Sequence, residues 1–162
     1  MKILHLISSS GYYGAEKVLV ELSRAAAQAP EIDKTYAGII CNSANPHTEI
    51  CSALRGSGVL CVLFACSGKL DISTVKEIRS FIKKEKIDVI HSHGYKSNFY
   101  ALAATLFLKV KKITTVHNWI TTGSTSSCSS AEVMFIWMFI SRPTIRSCWW
   151  GLAIEALPTT SH

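Results

Sequence analysis

The stretch KILHLISSSG, residues 2–11, opens the pattern that decides the fold. Its first six residues are mostly Ile and Leu, and three serines and a glycine end the apolar run. Such a run is typical of a strand buried on both faces of a parallel sheet. From residue 14 to about residue 29, apolar side chains recur at spacings of three and four, which predicts an amphipathic helix that Pro30 ends.

The same alternation continues along the chain, with short linkers between the elements. We predict strands at residues 2–7, 35–41, 59–64, 88–91 and 113–117, and helices at 14–29, 46–54, 72–84 and 95–108. This alternation favours an α/β fold, a Rossmann-like doubly wound parallel sheet with helices on both faces. We expect the strand order three-two-one-four-five.

The composition excludes several classes of protein. With 162 residues, 48% of them hydrophobic, the chain can form one domain with a core but is too short for two, and it is too apolar to be disordered. The net charge of +6 suits an anionic ligand such as a nucleotide diphosphate, or peripheral contact with an anionic membrane. Nucleic acid is not an expected partner, because the clustered lysines lie at predicted helix ends, where the helix dipole favours cations.

The cysteines and the apolar runs bear on the cellular compartment. Cys41, Cys51, Cys61 and Cys66 lie in apolar stretches without C-x-x-C spacing, so neither disulfides nor a metal site is expected. The N-terminus is too short for a signal peptide, and the longest apolar run, residues 133–140, is far below the roughly 20 residues that span a bilayer. A reduced, cytoplasmic protein is the simplest expectation.

Three loops carry residues suited to a binding site. They are GYYGAE at residues 11–16, HSHG at 91–94 and HNW at 117–119, and each follows a predicted strand. In open parallel sheets ligands bind beyond the carboxyl ends of the strands. A glycine at the start of a helix lets a phosphate approach free N–H groups. A single histidine at a strand end is more often structural, but the three loops converge on one cleft.

These loops, with the residues around them, resemble a known family. The segments MKILHL (1–6), YGAEKVL (13–19), DVIHSHG (88–94) and TVHN (115–118), in that order, resemble the N-terminal domain of glycosyltransferase family 4. Its members are retaining enzymes of the GT-B fold, built from two Rossmann-like domains. The resemblance covers residues 1–122. It implies the acceptor-side half of an enzyme that moves a sugar from a nucleotide-sugar donor to a glycan or lipid-linked acceptor, often in surface polysaccharide synthesis.

The resemblance also implies roles for individual residues. Gly14 and Ala15 would approach the donor diphosphate, although Tyr13 stands where the family usually has a first glycine. His117 would contact the donor sugar beside the reacting carbon and is the expected catalytic residue. The acceptor side would be lined by His93, Tyr95, Lys96 and Asn98. No cofactor or metal is expected in this class, and the chain has no Asp-x-Asp motif.

Residues 123–162 do not continue the pattern. They hold four charged residues, three of the four tryptophans and a serine cluster. The family expects a helix and then an apolar sixth strand here. Trp has the single codon TGG, and Cys has only TGC or TGT. If each new codon is formed from the last base of one residue and the first two bases of the next, the segment from Cys148 to Gly151 must encode Leu-Val-Gly. We therefore interpret the tail as out-of-frame translation and the fragment as inactive; a genuine divergent tail is the alternative.

Other function classes need features that the residues lack. A nucleotide- or ligand-binding regulatory module with the same sheet, such as a receiver domain, needs acidic residues at strand ends, whereas Asp88 begins its strand. An NAD-dependent short-chain enzyme needs G-x-G-x-x-G and an acidic residue that ends the second strand. The only feature that would favour a non-catalytic interaction protein is the group of basic helix ends, which is not sufficient alone. The sequence identifies neither the donor sugar nor the acceptor.

Overall fold

A computed structural model describes residues 1–44, 49–68 and 70–116 with their side chains, and the backbone of residues 135–139 and 149–153. Strands and helices alternate through the first part. The elements are β1 (Lys2–Ser8), α1 (Gly14–Gln28), β2 (Lys34–Asn42), α2 (Glu49–Ala53), β3 (Val59–Cys66), α3 (Ile72–Glu85), β4 (Val89–His93), α4 (Tyr95–Thr105) and β5 (Lys111–Thr115).

The five strands form one parallel sheet in the order β3-β2-β1-β4-β5. This confirms the predicted Rossmann-like fold and strand order. The main differences lie near the end of the sheet. β5 begins at Lys111, earlier than predicted, because Lys111 N–H donates to the carbonyl of Asp88 at 3.0 Å. α4 ends at Thr105, earlier than predicted, and Phe107 follows with a positive φ of 62°.

The sheet is covered on both faces, so successive residues of a strand enter different cores. Leu4 and Leu6 of β1 point to the α3 and α4 side, whereas Ile7 points to the α1 and α2 side. The buried residues of the first core are Leu4, Leu6, Tyr36, Ile40, Phe64, Cys66, Ile78, Ile82, Ile87, Ile90, Tyr100, Ala101 and Ala104. Those of the second are Ile7, Leu19, Val20, Ala37, Ile39, Cys41, Ile50 and Leu54.

One disulfide corrects the expectation of reduced cysteines. Cys51 of α2 and Cys61 of β3 are bonded, with their Cα atoms 5.5 Å apart. The short helix α2 packs over the sheet face to which Cys61 points, and this tertiary contact brings together two cysteines separated by ten positions. A bond of this kind constrains the unfolded chain and typically stabilises a fold by about 2–4 kcal/mol. Cys41 and Cys66 are free and buried.

The later part of the chain forms a second, smaller sheet. β6 (Phe135–Phe139) pairs antiparallel with β7 (Trp149–Ala153). Within the described residues, β5 is hydrogen-bonded to β4 alone and has no parallel partner on its other side. The rest of the segment after residue 116 lies outside the described residues. Among the described helices, none has the length and apolar character needed to cross a membrane.

Candidate functional site

The strand order gathers two of the three predicted loops. β1 and β4 are adjacent and parallel, so the loops after their carboxyl ends leave the same edge of the sheet. The first loop leads to Gly14. Most of the second predicted loop, HSHG, is strand instead, because β4 extends to His93 and only Gly94 separates it from α4. β5 lies next to β4 and ends at Thr115 on that same edge. His117, the expected catalytic residue, lies outside the described residues.

The loop after β1 leaves open space at the start of α1. Gly14 is the first residue of the helix and is exposed, and Ala15 is half-buried. A Cβ atom added at Gly14 would meet no atom of the described residues within 4 Å. The ring of Tyr13 packs instead on Gly11, where an added Cβ would lie 2.5 Å from the ring. The space in front of the helix is therefore accessible to a ligand.

Glu16 caps the N-terminus of α1. Its carboxylate is buried and accepts a hydrogen bond from the N–H of Tyr13 at 3.0 Å. The first intrahelical bond runs from the N–H of Lys17 to the carbonyl of Tyr13 at 3.1 Å. The N–H groups of the first turn have no acceptor within the helix. The amides of Gly14 and Ala15 therefore remain as donors for an anion, with the helix dipole in support.

The end of β4 contributes two histidines. His93 is only 2% exposed, and His91 is half-buried. Their rings lie beside that of His5 on β1, with centroid separations of 4.2 Å (His91 to His93), 5.2 Å (His5 to His91) and 5.9 Å (His5 to His93). Gly94 follows with a φ of +84°, a conformation that favours glycine. The side chain of His93 thus faces two other imidazoles.

The remaining acceptor-side residues lie on the first turns of α4. Tyr95 is 63% exposed. The Nζ atom of Lys96 donates to the carbonyl of Gly68 at 3.3 Å, which ties α4 to the loop after β3. Asn98 is half-buried, and its Oδ1 atom is buried without a hydrogen-bond partner in the described part of the chain. Tyr95 and Lys96 therefore place polar groups at the surface at this end of the helix.

His5 is the residue of this region that sequence reasoning missed. It is 3% exposed, and burial, with a smaller contribution from repulsion by His91, lowers its pKa to about 3. In the sequence it is one position in an apolar strand. The sequence could have indicated this contact. The first and fourth strands are predicted to be adjacent, and one possible register pairs His5 with His91, as observed.

Comparisons with known proteins connect this fold to one family and one solved structure. The model of the family described as Glycosyltransferase Family 4 matches residues 12–150, a range that includes part of the segment after residue 122. No curated protein matches the chain. A 2.2 Å crystal structure described as a putative UDP-N-acetylglucosamine 2-epimerase from Listeria monocytogenes is similar, with a TM-score of 0.51 and 18% identity.

The structural similarity covers a much larger share of this chain than of the epimerase chain. It covers 71% of this chain but only 31% of the epimerase chain. The chain therefore spans less than a third of the length of this structural relative. At this level of identity the similarity concerns the fold.

Proposed function

The chain belongs to glycosyltransferase family 4, and from this membership we propose that it is the N-terminal, acceptor-side part of a retaining GT-B glycosyltransferase. The complete enzyme moves a sugar from a nucleotide-sugar donor to a glycan or lipid-linked acceptor, in surface polysaccharide synthesis. One observation carries the proposal: the open helix start at Gly14 shares an edge of the sheet with the loop after β4.

In this proposal the domain acts by positioning and by electrostatics. The amides of Gly14 and Ala15 donate to the diphosphate of the donor, whose negative charge grows as the glycosidic bond breaks. His117 donates to the sugar beside the anomeric carbon. The acceptor binds on the side formed by His93, Tyr95, Lys96 and Asn98. The transfer reaction needs no metal in this scheme, because backbone dipoles and basic groups offset the leaving-group charge.

The proposal includes the organisation of the chain. Residues 1–122 form an incomplete N-terminal domain, and residues 123–162 are an out-of-frame tail. In the GT-B fold most donor-binding groups belong to the second domain, so we expect residues 1–162 on their own to be inactive. The complete enzyme works in the cytoplasm, with peripheral contact at the inner face of the membrane. Exposed apolar side chains along α4 and directly after it, at Tyr95, Phe99, Leu102 and Leu106, support such contact.

The substitution Gly14→Val tests the donor site. In the complete enzyme, read through the shifted frame, we expect the KM for the nucleotide sugar to rise about 10-fold or more. The branched side chain would occupy the space in front of the helix amides, and hydrogen bonds to a charged group contribute about 1.5–3 kcal/mol each. Thermal unfolding should be nearly unchanged, because the new Cβ meets no atom within 4 Å in the described part of the chain.

A second glycine provides a matched control. Gly68, in the loop after β3, also has open space where a Cβ atom would be added, so Gly68→Val introduces the same side chain elsewhere on the surface. This control should keep the parent KM for the donor. If Gly14→Val also binds the donor as the parent does, the helix start does not hold the diphosphate.

A further inference from the structure

We propose that the imidazoles of His5, His91 and His93 bind a divalent transition-metal ion, with Zn²⁺ as the best match. The site lies on the face of the sheet between β1 and β4. It shares His93 with the acceptor side proposed above, but the transfer reaction itself uses no metal. In the complete protein the ion would join two central strands and hold the loop from which α4 begins.

The geometry brings one ligand atom of each histidine into a compact group. These three nitrogens all lie within 4.8 Å of one another. In a tetrahedral zinc site with Zn–N bonds of about 2.0–2.1 Å, the ligand nitrogens are about 3.3 Å apart. Coordination would require the rings to rotate about their side-chain bonds until the nitrogens reach this spacing. The backbone already places His5 opposite His91 in the parallel register of β1 and β4.

The burial of His5 is the independent observation that points to a ligand. Both of its ring nitrogens are buried and have no hydrogen-bond partner within the described residues. A buried polar group without a partner costs about 1–3 kcal/mol. A neutral imidazole is the form that binds a metal ion, so coordination would satisfy one of the two unpartnered nitrogens of His5.

The donor set matches a known preference of zinc. Three neutral imidazoles and a water molecule make a sufficient zinc site, without a carboxylate. Imidazole suits Zn²⁺, Cu²⁺ and Ni²⁺ but not Mg²⁺ or Ca²⁺, which prefer oxygen ligands. A hydrogen bond of 2.7 Å joins Nε2 of His91 to the hydroxyl of Thr115. Metal-binding imidazoles are oriented by such a bond at one nitrogen while the other coordinates the ion.

Zinc titration of the 162-residue chain tests the proposal. The protein is first freed of metal with a chelator, and Zn²⁺ is then added in competition with a chromophoric chelator. We expect one tight site per chain. His5→Phe, which keeps a planar ring in the buried position, should weaken binding more than 100-fold, beyond the roughly 10–100-fold loss caused by removing an outer-shell partner. Co²⁺ bound to the parent should give the intense visible absorption of a four-coordinate site.

Two further variants separate a ligand role from a structural one. Ser92→Ala alters a buried residue between His91 and His93 whose hydroxyl points to the opposite face and donates to the carbonyl of Ile113 at 3.4 Å. It should bind Zn²⁺ as the parent does. His91→Ala, at a half-buried position, tests a second ligand if His5→Phe does not fold, and it should lose the site. Absence of tight binding in the parent, or equal binding by a folded ligand variant, would overturn the proposal.

Discussion

Replacing His117 with alanine in the complete enzyme should lower turnover about 100-fold or more, while the KM for the donor changes little. An interaction made mainly in the transition state lowers kcat, whereas uniform binding alters KM. A 100-fold loss corresponds to about 2.7 kcal/mol of transition-state stabilisation, within the range for one oriented hydrogen-bond donor. Initial rates over a range of donor concentrations, with acceptor in excess, measure both constants.

A conservative variant sharpens this experiment. His117→Asn keeps a side-chain N–H donor but shortens its reach, so it should recover part of the turnover lost in His117→Ala. A purely structural role would instead lower thermal stability in both variants and leave the kcat of the folded protein intact. Parent-like turnover in His117→Ala would remove this residue from the catalytic account.

The second large effect concerns stability in mild acid. His5 titrates near 6.5 in the unfolded chain and at about 3 in the folded protein. Above pH 6.5 the ring is neutral in both states, so proton binding does not affect stability there. Stability is lost as the pH falls from 6.5 toward 3, because the unfolded chain binds the proton first. At one pKa unit per roughly 1.4 kcal/mol, the loss from this residue reaches about 2 kcal/mol by pH 5.

Urea unfolding of the chain at pH 7 and pH 5, in the presence of a chelator, measures this effect. Groups other than His5 also contribute to the pH dependence of stability, so the comparison is with His5→Phe. The phenylalanine variant should lose about 2 kcal/mol less than the parent between the two pH values. An equal acid-induced loss in the two proteins would show that His5 does not carry a lowered pKa.

The fold could be predicted because its determinants are local. Continuous apolar runs marked the strands, helical spacing marked α1 and α3, and the resemblance to glycosyltransferase family 4 is confirmed by the family match. The end of α4 was predicted too late, since apolar spacing continues past Thr105 although the backbone turns at Phe107. The disulfide between Cys51 and Cys61 depends on how α2 packs on the sheet, which no local pattern encodes.

The site could be predicted only in part. The alternation of strands placed Gly14 and His93 at one edge, because parallel strands send their carboxyl ends the same way. It did not indicate that His93 is buried against His5 and His91, since burial depends on what covers the sheet. The predicted role of His117 stays a prediction, because this residue lies outside the described residues.

Sugar transfer by the complete enzyme is the most direct test of the central claim, that this chain is part of a glycosyltransferase. The chain continued in the shifted frame and the 162-residue chain are each incubated with labelled UDP-N-acetylglucosamine, UDP-glucose or GDP-mannose and a bacterial membrane-lipid extract. We predict that the complete enzyme incorporates label from one donor into a lipid or glycan product with retained anomeric configuration, and that the 162-residue chain incorporates none. Turnover by the 162-residue chain, or no transfer from any donor by the folded complete enzyme, would contradict the account.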